Sequence, residues 1–539
     1  MPLDALVTGR IATFAGAEGY GWVEAVGIRN GRVAFAGSTI DLETRADPHT
    51  LRIALAPGEI AIPGLTDAHL HYFDAALATE QVDLTTTATM EEGLERLRLI
   101  DRALPPGVWL EGAGWDQRRW GGWPTAAALD AAIPGRAVAL WSFDHHAVWG
   151  SSTSLAMAGI AAGSPDPAGG IIRRLADGTP EGVVLENACP LIMGRIPPPS
   201  EATIRRTVGN LGRQLLALGV VAVHDPGNVS PDVQMLAFDS YTAMSDDEEL
   251  PIRVHASMRP ESLDRAIEHG FRSGAPLGSA ADGHARVGWL KLFADGTLGA
   301  GTAAMLEPRA GATDLGVFRQ GPEELAGLAA RAAGRGIASQ VHAIGDAAVR
   351  AALDALAPSA AKVPLMPRLE HVQLVHPADR GRFAALGIAA SVQPVHLRED
   401  AATARRDWGD RAETCGYAWH TLLAEGAVIA FGTDAPVEPI DPWPGIAMAV
   451  LRRDPSWGPD AVPYGPHEAL DLETALRAAT VGPALTAREV DRGRLVPGCR
   501  ADLIVLPAAP REREASEIAG YATVRPRLVM LGGEVVVEG

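Results

Sequence analysis

A chain of 539 residues is long enough for a large core and for more than one domain, and its formal net charge of −19 argues against nucleic acid or an anionic membrane as the main partner. The composition is globular, 47% hydrophobic and 21% charged, with 59 glycines and 40 prolines implying many turns. No uninterrupted apolar span of roughly 20 residues suggests a membrane helix, and three widely spaced cysteines, Cys189, Cys415 and Cys499, suit a reducing compartment better than a disulfide framework.

The Met1 end has an early acidic residue and no basic stretch before a long apolar run, so no signal peptide is expected and the default location is cytoplasmic. Up to about residue 60 the chain reads as short strands and turns: Asp4–Thr8, Val23–Ile28 and Arg32–Gly37. The far end has the same texture, at Ala501–Leu506, Pro526–Leu531 and Gly533–Glu538. Neither end holds enough strands for a stable sheet alone. The economical expectation is one small β-sandwich domain built from both termini, residues 1–60 and 488–539, with 61–487 inserted between them.

Within that insert, apolar strand-like runs alternate with helix-like segments rich in Ala, Leu and Arg. An opening strand runs through Ala61–His71. It is followed by Val220–His224, Ile252–His255, Val287–Phe293, Ile337–His342, Arg368–Val372, Ile388–Gln393 and Val428–Asp434. Helical segments between them include Glu261–His269, Pro322–Arg335, Ala347–Leu356 and Pro377–Leu386. Eight β units with crossovers of suitable length predict an α/β fold, a (β/α)₈ TIM barrel, whose chemistry belongs at the C-terminal ends of the strands. The block 75–218 does not fit a single crossover. It has strand-like pieces at Val108–Gly112 and Ala137–Ser142, turn-rich stretches, and six tryptophans: Trp109, Trp115, Trp120, Trp123, Trp141 and Trp149. It reads as an insertion after the first strand, either a lid or pocket wall or a subdomain whose tryptophans form its own core.

The opening strand ends in His69-Leu70-His71, and residues two apart on a strand share a face. Two imidazoles side by side suit a borderline metal such as zinc if other segments supply the remaining ligands. The other strands do so: Lys291 lies on strand 4, His342 ends strand 5, His371 lies on strand 6 and Asp434 ends strand 8. A lysine inside an apolar strand must be neutralised, paired or modified. Beside two divalent ions, carboxylation of its amine by CO₂ would give an anionic bridge, whereas an ammonium would repel the cations. The alternative is an unmodified Lys291 paired to Asp295 beside a single metal.

These residues carry a resemblance to the amidohydrolase superfamily, and within it to the YtcJ-like (amidohydrolase-3) family that includes N-substituted formamide deformylase. The matching stretches are Pro63–His71, Leu290–Gly299, Val341–Asp346, Arg368–Gln373, Gly432–Val437 and Gly493–Ile504, so the likeness runs nearly end to end. Trp141–Trp149 in the inserted block is similar too, except that His145 stands where the family usually has glycine. The resemblance implies His69 and His71 on a first metal and His342 and His371 on a second. Lys291 would bridge, and Asp434 would ligate the first metal while acting as base. Two Zn²⁺ ions and a CO₂-derived carboxylate on Lys291 are the expected cofactors. Gln393 and His396, after strand 7, together with His146 and Trp115 of the inserted block, are the candidate substrate contacts.

The expected reaction is metal-dependent hydrolysis of an amide-type C–N bond in a small N-acyl or N-formyl compound. Divalent ions make hydroxide available near neutral pH, and Asp434 passes the proton to the leaving nitrogen. Cyclic-amide opening or deamination of a heterocycle is the second reading, and Lys291 counts against the deaminase version of it. A non-catalytic binding protein is the third, against which the intact ligand set counts. The expected partner is the small-molecule substrate, with a homodimer as the guess for assembly.

Overall fold

Eight parallel strands in a computed structural model form the sheet that positions everything else: β1 (Leu65–Asp67), β2 (Val220–Asp225), β3 (Arg253–Met258), β4 (Ala285–Phe293), β5 (Ser339–Ala343), β6 (Arg368–His371), β7 (Ala389–Val392) and β8 (Ile429–Phe431). The structure describes residues 2–539 except 144–146, 168–169, 187, 228–233, 281–282, 459 and 508–514. Each strand pairs with the next in chain order, as the alternation of strand and helix in the sequence predicts. The strands are buried on both faces, which is why they read as near-continuous apolar runs such as Val220–Val223.

The sheet curls until its two ends meet. Ala68 N donates to Phe431 O at 2.8 Å, and Asp434 N donates to His69 O at 2.6 Å. A Cβ on Gly432 would stand 2.5 Å from His69 N, so glycine is required for this close approach. The barrel is an eight-stranded, nearly closed (β/α)₈ fold, and all the candidate ligands lie at or just beyond the C-terminal ends of its strands.

A second eight-stranded sheet joins the two termini. Ile60–Pro63 runs parallel to Ala5–Ala12 and antiparallel to Leu503–Leu506, with Ile62 opposite Ile504. Leu503 and Val505 turn into a core with Val7, Ile11, Val26 and Met530. Ile504 faces the other way, toward the barrel, where a Cβ on Gly219 would lie 3.0 Å from its Cδ1. The opening strand of the sequence reading is therefore two strands separated at Gly64. Ile60–Pro63 belongs to the terminal sheet, and β1 belongs to the barrel.

By contact density the chain divides into a larger unit, Met1–Ala75 with Val208–Gly539, and a smaller one, Ala76–Thr207. The smaller unit has its own six-stranded sheet, from Gly170–Arg174 at one edge to Val82–Asp83 at the other. Its core is built on Trp115 and Trp149, both fully buried, with Leu110, Leu129 and Leu140. Trp115 stacks edge-on against Trp149 and gives its indole N–H to Leu140 O at 2.7 Å. The tryptophans thus make a core of their own. Among the described residues no helix is long and apolar enough to cross a membrane, and no disulfide joins the three buried cysteines.

Candidate active site

The first barrel strand stops at Asp67, so His69 and His71 sit on the loop beyond it. Their convergence does not come from strand alternation, as the sequence pattern suggested, but from ties to the last strand's loop. The Asp67 carboxylate accepts from His69 N at 3.0 Å, from Thr433 N at 3.1 Å and from Thr433 Oγ1 at 2.7 Å. His71 N donates to Ala435 O at 2.9 Å. Burial nonetheless outweighs these bonds and raises the Asp67 pKa to about 6.

Behind His69 stands a buried ion pair. Glu370 Oε2 accepts from His69 Nδ1 at 2.5 Å, and its other oxygen lies 2.7 Å from Arg368 Nε. Arg368 is fully buried, donates to Gln340 Oε1, His224 Nδ1 and Ala68 O at 2.6, 2.9 and 2.9 Å, and stacks 4.0 Å over Trp289. Burial works against the Glu370 carboxylate, but Arg368 and His69 hold its pKa well below the usual range. A carboxylate at that position keeps the proton on His69 Nδ1 and leaves the Nε2 lone pair free. His69 Nε2 is buried without a hydrogen-bond partner and lies 3.3 Å from Asp434 Oδ1.

Two of the other imidazoles are held by backbone carbonyls. His71 Nδ1 donates to Gly227 O at 2.8 Å, and its Nε2 lies 3.5 Å from Asp434 Oδ1. His342 Nε2 donates to Gly296 O at 2.9 Å. His371 stands with its ring centroid 4.5 Å from that of His342 and 5.2 Å from that of His69. Burial is the first cause of depressed pKa values in all three, to about 4 for His71, about 3 for His342 and well below the ordinary value for His371. Neutral imidazole is the form that ligates a metal.

Two of the candidate ligands have left-handed backbones, His371 at φ 74° and Asp434 at φ 64°, with Val372 at φ 48° beside the first. Such conformations cost of order 1–3 kcal/mol each and persist where the surroundings impose them. Here they turn the chain at the end of β6 and past β8, so that His371, the last residue of its strand, and Asp434, beyond its own, join the cluster. Asp434 is pushed up by burial but pulled well below the usual carboxylate range by His69, His396 and His371. His396 Nε2 lies 3.2 Å from Asp434 Oδ2, the oxygen turned away from His69.

Lys291 is buried, and burial lowers its pKa to about 8 against the pull of Glu370 and Asp434. The sequence alternative of an ion pair with Asp295 does not hold. That carboxylate accepts instead from the backbone N–H groups of Ala304, Ile344 and Gly345 at 2.9, 3.1 and 2.9 Å, so it ties the loops after β4 and β5 together. Among the substrate candidates, Gln393 is buried with Oε1 lacking a partner, and His396 touches Asp434. Trp115 belongs to the core of the smaller unit. His145 and His146 lie outside the described residues. The sequence reading did not assign roles to Asp67, Arg368 and Glu370. Arg368 and Glu370 did carry a signal, since they are charged residues two apart within a strand buried on both faces.

The donor set fits a divalent cation. One ligand atom from each of His69, His371 and Asp434 falls within 4.8 Å of the others, and all three residues are buried. A bare imidazole nitrogen, His69 Nε2, facing the Asp434 carboxylate is what a cation would satisfy.

The chain matches the family described as Amidohydrolase family over residues 56–537. It is 31% identical over 526 residues, 96% of both chains, to "Putative amidohydrolase YtcJ" of Bacillus subtilis (strain 168). It is 27% identical over 534 residues, 93% of both chains, to N-substituted formamide deformylase of Arthrobacter pascens. A metal-dependent hydrolase from Pyrococcus horikoshii OT3, itself uncharacterized, superposes with a TM-score of 0.78 at 26% identity, covering 95% of this chain and 98% of that one.

Proposed function

Because this chain belongs to the amidohydrolase family, we propose that it is a metal-dependent hydrolase cleaving an amide-type C–N bond in a small N-acyl or N-formyl compound. The observation that carries the reading is the bare, buried His69 Nε2 beside Asp434 Oδ1, backed by the Glu370–Arg368 pair. His69, His71 and Asp434 would hold one ion, and His342 and His371 a second, with Lys291 as a carboxylated bridge; zinc suits this mixture of imidazole and carboxylate. When bound, such ions lower the pKa of water and polarise a carbonyl oxygen.

The chain's own groups do the rest. Asp434 is the general base: its carboxylate takes the attacking water's proton and delivers it to the departing nitrogen. His396, on Oδ2, orients that carboxylate, and Glu370 fixes the His69 ring through Nδ1. A small amide agrees with the similarity to a formamide deformylase and with a buried lysine that has no ion pair to Asp295.

The test joins metal analysis of the purified protein to a hydrolase screen of N-formyl, N-acyl, cyclic-amide and lactone compounds. Asp434→Asn is expected to keep most of the metal and lose about 10³-fold in kcat. Wild-type rates in that variant would end the general-base assignment. A metal-replete wild-type enzyme active only on lactones would end the C–N assignment. Intact mass under native conditions reads the Lys291 adduct, and an unmodified amine at full metal occupancy excludes the bridge.

A further inference from the structure

The loops after β3 and β4 bring two arginines to one aromatic ring. Arg259 is the first residue beyond β3, and Phe293 is the last of the neighbouring β4. Arg319 comes from a later segment laid across the end of β4, where Arg319 N donates to Ala294 O at 2.9 Å and Gln320 N to Phe293 O at 3.1 Å. The guanidinium carbons of Arg259 and Arg319 stand 4.2 and 4.8 Å from the Phe293 ring centroid. Lys291 Nζ lies 5.1 Å from the same centroid. The ring is 5.5 Å, centroid to centroid, from His342, so this basic group adjoins the imidazole cluster.

In a chain of net charge −19 an arginine ordinarily finds a carboxylate, and these two do not. Among the described residues neither guanidinium closes an ion pair or gives a hydrogen bond, and Arg259 Nε is buried without a partner. Burial lowers the Arg259 pKa; Glu261 raises it from a distance, and the neighbouring Arg319 charge lowers it further. Lys291, lowered first by burial, feels the Arg259 charge as well. Contact with the ring face holds each guanidinium in place but leaves its N–H edge unsatisfied. A carboxylate supplies what is missing, since its two oxygens match the guanidinium fork and carry the opposite charge. Arg319 is exposed and Arg259 half-buried, so a solute can reach the pair from the barrel mouth.

We propose that Arg259 and Arg319, carried on Phe293, form a subsite for a carboxylate of the substrate. The compound hydrolysed is then an amide with a carboxylate a few bonds from the scissile C–N bond, not a neutral amide. This rests on the reading of the imidazole cluster as a site of C–N hydrolysis, and it adds the part of the substrate that the two arginines select.

The experiment uses the metal-containing full chain. N-formyl and N-acetyl amino acids, from glycine to γ-aminobutyrate, are assayed against the corresponding carboxamides, and binding of each is measured by calorimetry. The best free carboxylate is expected to exceed its carboxamide about 10-fold or more in kcat/KM, chiefly through KM. Arg259→Gln and Arg319→Gln are each expected to bring that ratio near one. Arg319 is exposed, so its variant tests the subsite even if Arg259→Gln fails to fold. Carboxamides that equal or beat the carboxylates in the wild type, or a preference that survives in Arg319→Gln, overturn the subsite. Hydrolysis confined to neutral amides does so while leaving the C–N reading intact. Calorimetric binding of the carboxylates that weakens in Arg319→Gln, with no turnover of any amide, supports the subsite and overturns the C–N reading instead.

Discussion

The barrel and the smaller unit bury their largest side chains to opposite ends. In the smaller unit the fully buried Trp115 and Trp149 are apolar bodies whose indole N–H groups each reach one backbone carbonyl, Leu140 O and Thr125 O. In the barrel the fully buried Trp289 is joined by charged and polar side chains, Arg368, Glu370, His224 and Gln340, all without solvent exposure. Aromatic burial of the first kind stabilises in its own right. A buried ion pair at best breaks even against a well-packed apolar replacement. The barrel interior carries charge that fixes the His69 ring, whereas the tryptophan core of the smaller unit is apolar. The sharpest way to break this contrast is Arg368→Met. Removing the guanidinium strands the Glu370 carboxylate, and the expected loss is about 3–5 kcal/mol of unfolding free energy. Denaturant melts of the metal-free protein measure it; a loss below 1 kcal/mol would mean that the pair is dispensable.

Glu370→Gln sharpens the same contrast without stranding a negative charge. The amide cannot hold the proton on His69 Nδ1 as the carboxylate does, so metal affinity should fall by about 10–100-fold while the fold survives. Chelator competition reads this effect. Unchanged affinity would assign Glu370 to packing alone.

How these groups could be seen in advance depended on distance along the chain. Most strands of the barrel announce themselves locally, as an apolar run with His, Lys or Asp near its end; seven were legible within a few residues of their observed bounds, and the opening one was merged with a strand of the terminal sheet. What local pattern cannot show is pairing across the closed barrel. Glu370 meets His69 across 301 residues, and Asp67 meets Thr433 across 366. Nor does spacing reveal that the His69–His71 loop leaves its strand at Asp67, or that left-handed φ angles at His371 and Asp434 re-aim those residues. Asp295 misled for a related reason. A carboxylate four residues after a buried lysine suggests a partner, but the chain turns and spends it on three backbone N–H groups.

Asp67 gives the contrast a pH dependence. Its folded pKa of about 6 lies above the ordinary 3.8 because burial penalises the charge. Between those values the folded state holds a proton that the unfolded chain has released, so its contribution falls as pH rises through about 4 to 6. The effect is on the order of 3 kcal/mol. In metal-free protein, Asp67→Asn should flatten this part of the stability curve, compared by denaturant melts across that window. The same slope in the variant would transfer the effect to another group.

The smallest effect is expected in the other core. Trp115→Phe removes the bond to Leu140 O and part of the packing against Trp149, for a loss of about 1–2 kcal/mol. Because the ring is enclosed by Leu140, Trp149 and their neighbours, kcat and KM of the folded variant should match wild type. A KM that rises several-fold while the melting curve barely moves would return Trp115 to the list of substrate contacts, and the division between a working core and a purely structural one would fail at that residue.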